Sequence, residues 1–244
     1  MTPTARTPAW LRWYTASSAT LRLVCLPPAG SSASFYRTWA GYIPPNIALA
    51  GIQYPGRENR LPEPVLEDMN ELATGIASAV RPLCQGTLAI FGHSMGAAVA
   101  YEVSLRLNNP AVLFVSGCGP PQSYQGRTRK TWSDSSILSD LKRLGGPNQA
   151  IFENSALLSL ALPALRADYF LVENYVPSTG AKLTCPVVAF CGDQDEEVSL
   201  DQMKQWSAVT TGSFRLSVFR GNHFFPLHGK QDVTAEIISI LAEL

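Results

Sequence analysis

The stretch that decides the fold reads Leu88-Ala89-Ile90-Phe91-Gly92-His93-Ser94-Met95-Gly96 and runs directly into an alanine-rich segment, residues 96–107. The apolar run predicts a buried strand and the alanine-rich segment predicts a helix. The Gly-x-Ser-x-Gly pattern between them predicts a sharp turn, in which the two glycines remove side chains that would clash. Ser94 is therefore expected at the carboxyl end of a strand and at a helix N-terminus, which favours developing negative charge.

Short apolar runs alternate with helical patterns on both sides of this turn. The predicted strands are residues 21–26, 47–52, 87–91, 111–117, 186–191 and 214–219, and the predicted helices are 68–83, 96–107, 199–208 and 231–244. Strands that are apolar nearly throughout are typical of a parallel sheet covered on both faces. The repeated order of strand and helix predicts one α/β domain over residues 1–244, with a mostly parallel central sheet and helices on both faces.

One interval interrupts this rhythm. Residues 120–182 lack a good strand pattern, but residues 135–144 and 155–175 have helical patterns, and the second is rich in leucine. We expect this insertion to be a helical lid over the site and not part of the sheet.

Composition narrows the function classes. Lys plus Arg and Asp plus Glu are both 19, and this zero net charge argues against a general nucleic-acid binder. The five cysteines are odd in number and none are spaced as CxxC, which favours reduced thiols over disulfides or a zinc site. No uninterrupted apolar run reaches the length of a membrane span, and the N-terminus lacks a signal-peptide core. We expect a cytoplasmic protein, a monomer without membrane contact, and neither metal nor cofactor.

Ser94 needs a base to remove its proton, and the chain has three histidines. His93 adjoins Ser94 and points the wrong way for a base, so we expect it to fill space beside the turn. His223 follows the last predicted strand, where the α/β-hydrolase fold places its base. His228 is the alternative, but its place near the final helix favours a solvated or capping role.

The third member of such a triad is an acid that orients the imidazole, and it lies between the serine and the histidine in the chain. The predicted strand 186–191 is followed directly by Gly192-Asp193-Gln194-Asp195. The usual offset from the glycine favours Asp195, and Asp193 remains the alternative. Backbone N–H donors for an oxyanion are expected from Met95 and from the loop after the first strand, with Ala29 favoured over Gly30.

The chain resembles a known family, the stand-alone type II thioesterases of polyketide and nonribosomal-peptide synthesis. Besides the pentapeptide, the resemblance rests on four stretches: Tyr54-Pro55-Gly56-Arg57-Glu58-Asn59-Arg60, Leu141-Lys142-Arg143-Leu144-Gly145-Gly146, Leu165-Arg166-Ala167-Asp168-Tyr169 and His223-Phe224-Phe225. The pentapeptide is shared by many hydrolases. The stretches 54–60 and 165–169 occur in far fewer families and are therefore the more specific signals.

The resemblance implies hydrolysis of wrong or stalled acyl groups from the phosphopantetheine arm of acyl or peptidyl carrier proteins, for editing or release, with a mobile lid. It implies Ser94 as nucleophile, His223 as base, Asp195 as acid, and Met95 and Ala29 as oxyanion donors. The chain departs from the family in its first loop, where Pro28 replaces an aromatic residue and Ser31 replaces a glycine. These departures bear on substrate preference and leave the triad unchanged.

Two other functions share parts of this pattern. A carboxylesterase or lipase would use the same triad on oxygen esters, and a non-catalytic binding protein would keep only the fold. A basic cluster of Arg127, Arg129, Lys130, Lys142 and Arg143 is either a landing patch for an acidic carrier or a solvated face. Two further groups are expected to be structural: an ion-pair network of Arg57, Glu58 and Arg60, and an N-terminal anchor around Trp10, Trp13 and Tyr14.

Overall fold

The computed structural model describes residues 10–107, 110–125, 129–146, 152–178 and 180–244. Within these ranges, seven strands form one sheet in the order β1-β3-β2-β4-β5-β6-β7. The strands are β1 (Leu11–Trp13), β2 (Leu21–Leu26), β3 (Ile47–Ile52), β4 (Thr87–His93), β5 (Val112–Ser116), β6 (Val187–Gly192) and β7 (Phe214–Phe219). All neighbours pair in parallel except β1, which runs antiparallel to β3.

The helices are α1 (Met69–Val80), α2 (Met95–Arg106), α3 (Asp134–Leu144), α4 (Ser155–Asn174), α5 (Leu200–Lys204), α6 (Phe225–His228) and α7 (Lys230–Leu241). A 3-10 helix, Ala33–Gly41, and α7 pack on one face of the sheet through Trp39, Val233 and Ile237. Helices α1, α2 and α5 pack on the other face. The predicted α/β architecture, with helices on both faces of a mostly parallel sheet, is therefore confirmed.

The six predicted strands are all present, with bounds that shift by at most two residues. Strand β1 was not predicted, because a three-residue edge strand is too short to show alternation. It contains part of the aromatic group assigned to the N-terminal anchor, and Trp10 does pack against the core. Strand β7 lies at the opposite edge and is only partly buried, so the expectation that every strand is covered on both faces is wrong there.

The inserted helices α3 and α4 lie between β5 and β6, within the segment predicted from residues 120–182. Arg166 of α4 forms an ion pair with Asp134 of α3, and the Tyr169 hydroxyl donates to Asp140 at 2.8 Å. Both contacts join the two helices to each other at their partly exposed sides.

Helix α4 is long and apolar enough, by length and composition alone, to cross a membrane. The sequence expectation rested on uninterrupted apolar runs, which this helix lacks, whereas its mean hydropathy over an 18-residue window is 1.4. Core helices of soluble proteins pass the same test. Here the helix packs on the domain through Leu165, Asp168 and Leu171, all of which are buried.

Candidate active site

Ser94 lies at a strained turn between β4 and α2. Its backbone φ of 53° and ψ of −123° fall in a region that non-glycine residues rarely adopt, at a cost of about 1–3 kcal/mol. A Cβ on Gly92 would overlap the carbonyl oxygen of Gly96, and one on Gly96 would overlap that of Leu26. The Ser94 N–H donates to the Ser116 carbonyl at 2.8 Å, which ties the turn to β5.

His223 and Asp195 form a buried pair in the loops that follow β7 and β6. The distances from His223 Nδ1 to Asp195 Oδ2 and Oδ1 are 3.0 and 3.2 Å. The two side chains are only 5% and 0% exposed, so water competes little for this contact. The Glu197 N–H also donates to Asp195 Oδ1, at 2.9 Å, and this bond orients the carboxylate.

The alternatives to this pair lie elsewhere. Asp193 is exposed, and its carboxylate accepts the Gly221 N–H at 2.8 Å, so it shapes the loop that carries His223. His228 is exposed at the end of the short helix α6. The structure therefore brings together the residues that the sequence favoured, Asp195 and His223, and not the alternatives.

His93 is fully buried beside the turn. Its Nδ1 lies 3.0 Å from the Ser116 hydroxyl, and its ring centroid is 5.0 Å from that of His223. Burial, helped by the neighbouring His223, lowers the pKa of His93 well below its ordinary value. A neutral His93 adds no second positive charge beside His223. Ser116 was missed by the sequence analysis, although a serine ending an otherwise apolar strand is a detectable signal.

The loop Pro27 to Ser31 lies against the N-terminus of α2. Ala29 and Met95 both line the central cavity. The Gly30 N–H, which was the second candidate for an oxyanion donor, donates instead to Asp168 Oδ2 at 2.8 Å. Of the two candidates in this loop, only Gly30 has its N–H occupied by a side chain, and this favours Ala29.

One cavity of about 400 Å³ connects these groups, a size within the usual range of small-molecule sites. Ser94, His223, Ala29, Met95 and Pro28 are among the residues that line it. The inserted segment supplies residues around it: Lys130, Trp132, Asp140, Leu141, Arg143, Leu144, Tyr169, Val172 and Glu173. Among the described residues, no group of three His, Cys, Asp or Glu side chains is arranged to hold a metal ion.

The remaining charged groups are arranged differently from the expectation. Arg57, Glu58 and Arg60 form no pairs with one another; they pair separately with Asp168, Arg12 and Glu63. In the basic cluster, Arg127 lies outside the described residues. Arg143 is neutralised by Asp140 and Glu197, at 2.7 and 2.6 Å, which argues against a patch of uncompensated positive charge at that end of the cluster.

The family model described as a thioesterase domain matches residues 21–243, nearly the whole chain. The protein belongs to the thioesterase family. A curated relative, thioesterase PikA5 of Streptomyces venezuelae, is 40% identical over 223 residues, which are 88% of this chain and 79% of the relative.

Solved structures agree with this assignment. The type II thioesterase BorB from the borrelidin biosynthetic cluster superimposes with a TM-score of 0.86 at 35% identity, over 97% of this thioesterase and 99% of BorB. RedJ, a thioesterase of the prodiginine pathway in Streptomyces coelicolor, gives 0.83 at 36% identity, over 91% and 85% of the two chains. The fold, the enzyme class and the family resemblance predicted from the sequence are confirmed.

Proposed function

We propose that this thioesterase removes acyl groups from the phosphopantetheine arm of acyl or peptidyl carrier proteins in polyketide or nonribosomal-peptide synthesis, for editing or release. The observation that carries the proposal is the convergence of Ser94, on its strained turn, with the buried His223–Asp195 pair at one cavity. The family membership and the biosynthetic context of the similar proteins supply the substrate class.

The first half of the reaction acylates Ser94. Because Nδ1 of His223 is engaged by Asp195, Nε2 is the ring nitrogen left to accept the Ser94 proton. The Ser94 oxygen attacks the thioester carbon, and the carbonyl oxygen becomes an oxyanion that accepts N–H bonds from Met95 and Ala29. When the tetrahedral intermediate collapses, the carbon–sulfur bond breaks and His223 returns the proton to the leaving thiolate.

The second half releases the acid. His223 takes a proton from a water molecule, which attacks the acyl-Ser94 carbonyl and forms a second oxyanion in the same place. Collapse breaks the bond to Ser94, and the proton on His223 regenerates the hydroxyl. A thiolate is a good leaving group, so the second half is the more demanding for a thioester substrate.

The inserted segment, residues 120–182, is proposed as a lid over this chemistry. Trp132, Tyr169 and Val172 add apolar wall to the cavity, and burial of an acyl CH₂ is worth about 0.8 kcal/mol. Arg143 holds α3 against the loop that carries Asp195, through an exposed ion pair with Glu197. Exposed pairs are weak, so this contact can open to admit the arm.

The test compares three substrates with the same acyl group: an acyl-loaded carrier protein, the acyl pantetheine thioester, and the p-nitrophenyl ester. We expect kcat/KM to be highest for the carrier-bound thioester, and Ser94→Ala to abolish turnover of all three while the circular dichroism spectrum stays unchanged. A p-nitrophenyl ester turned over far faster than the carrier-bound thioester would favour an oxygen-ester hydrolase instead. Residual turnover by Ser94→Ala would exclude Ser94 as the nucleophile.

A further inference from the structure

A buried ion pair joins the inserted helix α4 to the segment that follows β3, next to the loop Pro27 to Ser31. Arg57 Nη1 and Nη2 donate to Asp168 Oδ2 and Oδ1 at 2.7 and 2.9 Å, in the bidentate geometry that suits a guanidinium and a carboxylate. The side chains are 11% and 3% exposed. Separating the partners of so buried a pair would leave uncompensated charges. The pair is therefore expected to persist whenever α4 is seated, that is, packed against the loop Pro27 to Ser31.

The same carboxylate holds the loop. Asp168 Oδ2 accepts the Gly30 N–H at 2.8 Å, and Arg57 Nη1 donates to the Ser31 carbonyl at 3.1 Å. The Ser31 N–H closes the turn onto the Pro28 carbonyl, also at 3.1 Å. Both charged side chains therefore act on the backbone of one short turn.

Gly30 allows α4 to approach this closely. Its φ is +71°, a conformation that suits glycine, and a Cβ at this position would overlap Leu165 Cδ2 on α4. The helix thus contacts the loop twice within one turn of its own length, through Leu165 and through Asp168. The position of the loop backbone depends on where this part of α4 lies.

The geometry of the turn connects this contact to the chemistry. The Gly30 N–H belongs to the peptide group whose carbonyl carbon is that of Ala29, so its bond to Asp168 fixes the plane of that peptide. The peptide group that follows Ala29 is therefore held by Asp168. The peptide group that precedes Ala29 is held by the bond from the Ser31 N–H to the Pro28 carbonyl. Ala29 lines the cavity, and the direction of its N–H follows from these constraints.

Charge explains why Arg57 is needed as well. A lone carboxylate this close to the proposed oxyanion site would repel the negative charge that develops there. Paired with Arg57, Asp168 can accept the Gly30 N–H while adding little net charge. Burial alone would lower the pKa of Arg57, but the charge and hydrogen bonds of Asp168 outweigh it and raise the pKa, so Arg57 stays charged.

We propose that Asp168, neutralised by Arg57, is a positioning residue that aligns the Ala29 N–H for the oxyanion, so that seating of α4 completes the oxyanion hole. The proposal rests on the proposed function, because it takes Ser94 as nucleophile and Ala29 as donor. It assigns to two residues of the fold a part in stabilising the transition state without contact with substrate.

The test is Asp168→Asn, which keeps the shape of the side chain but removes the charge that holds Arg57. The two carboxylate oxygens accept three N–H bonds, from Gly30 and Arg57, and an amide replaces one of these oxygens with an NH₂ group that faces a donor. Four quantities are measured with the 244-residue chain: kcat and KM for an acyl pantetheine thioester, the inhibition constant of the matching acyl trifluoromethyl ketone, and the dissociation constant of the thioether analogue without a carbonyl. The ketone forms an anionic adduct with the serine and reports on the oxyanion site, whereas the thioether reports on binding alone.

We expect kcat to fall by about 10–100-fold, less than the 10²–10³-fold that follows outright loss of an oxyanion donor. The inhibition constant of the ketone should rise by the same factor, while KM and the thioether constant stay within threefold. Arg166→Gln is the matched control, because it breaks an exposed ion pair two residues away on the same helix. It should leave all of these quantities within twofold.

Arg57→Lys is the second variant, in case Asp168→Asn does not fold as judged by circular dichroism. It keeps the charge but loses the bidentate contact, and we expect the same pattern with a smaller loss of kcat. If kcat and ketone binding stay within twofold in a folded variant, or if only KM and thioether binding weaken, the proposal is wrong. Failure of the wild-type protein to hydrolyse the thioester or bind the ketone would instead count against the proposed function.

Discussion

The choice between Asp195 and Asp193 makes the sharpest prediction about the active site. Asp195→Asn keeps the size of a fully buried side chain whose oxygens lie 3.0 and 3.2 Å from His223 Nδ1. An amide can present N–H to Nδ1, which favours the ring tautomer that carries its proton on Nε2. That tautomer cannot accept the proton of Ser94, so the loss falls on kcat and not on substrate binding.

The magnitude follows from the role. In serine hydrolases, the corresponding substitution lowers kcat by about 10⁴-fold with the geometry intact, which is about 5.5 kcal/mol of transition-state stabilisation. Because Asp195 is shielded from water and lies within hydrogen-bond distance of His223 through both oxygens, we expect a loss of about 10³–10⁴-fold in kcat here. KM for the acyl pantetheine thioester should change by less than threefold.

Asp193→Asn is the matched control. Asp193 is two residues away in the same loop and accepts one backbone N–H, from Gly221. An amide oxygen can still accept that bond, so kcat should stay within about threefold. Steady-state thioester hydrolysis, followed by release of the free thiol at pH 7.5, measures both variants. Our assignment is refuted if Asp195→Asn keeps more than a tenth of kcat, or if Asp193→Asn loses as much.

Three further predictions concern the fold around the site. Burial would raise the pKa of Glu102, but hydrogen bonds from Arg106, Ser178 and Tyr175 outweigh it and lower the pKa below 4.5. These bonds therefore stabilise the folded protein above pH 4.5, and this stabilisation is lost as the pH falls through the lowered pKa of Glu102. Urea unfolding at pH 7 and pH 3.5 should therefore show a smaller difference for Glu102→Gln than for wild type; an equal difference would contradict this. Gly96→Ala should lower the free energy of unfolding by about 1–3 kcal/mol and abolish activity, because the added Cβ overlaps the Leu26 carbonyl oxygen. A variant with the melting temperature and turnover of the wild type would refute the steric argument. Arg143→Gln should cost less than about 1 kcal/mol in urea unfolding yet speed limited proteolysis within residues 120–182, and unchanged cleavage would argue against its part in holding α3.

Much of the frame can be read from local pattern. Apolar runs bounded by turn residues locate the central strands, because a strand buried on both faces has no polar side. The Gly-His-Ser-Met-Gly turn is local in its strain at Ser94 and in the close approach of Gly92 to Gly96, which both arise within one strand–helix unit. The close approach of Gly96 to Leu26 of β2 is a tertiary contact. The edges of the sheet are harder to predict, because burial there is partial: β1 is three residues long and β7 is half exposed.

The role of Asp168 shows what local pattern cannot reach. A signal was present, since an acid at this position falls on the apolar stripe formed by Leu165 and Leu171 and so must be buried. The partner was not predictable, because Arg57 is 111 positions away and its sequence neighbours suggested an ion-pair network with Glu58 and Arg60. Only the folded chain shows that this carboxylate also accepts the Gly30 N–H.

The sequence by itself determined the order of the six longer strands and the main helices, the serine on its turn, and the short set of residues from which a base and an acid could come. These features depend on the spacing of residues that are close together in the sequence, and this spacing does not depend on tertiary contacts. The tertiary structure alone decided that Asp195 and not Asp193 meets His223, that Gly30 has its N–H occupied, and that α4 contacts the loop beside Ser94. Such choices depend on which loops meet at the carboxyl edge of the sheet, where hydrogen-bond distances of 2.8 to 3.2 Å and the exclusion of water settle each pairing.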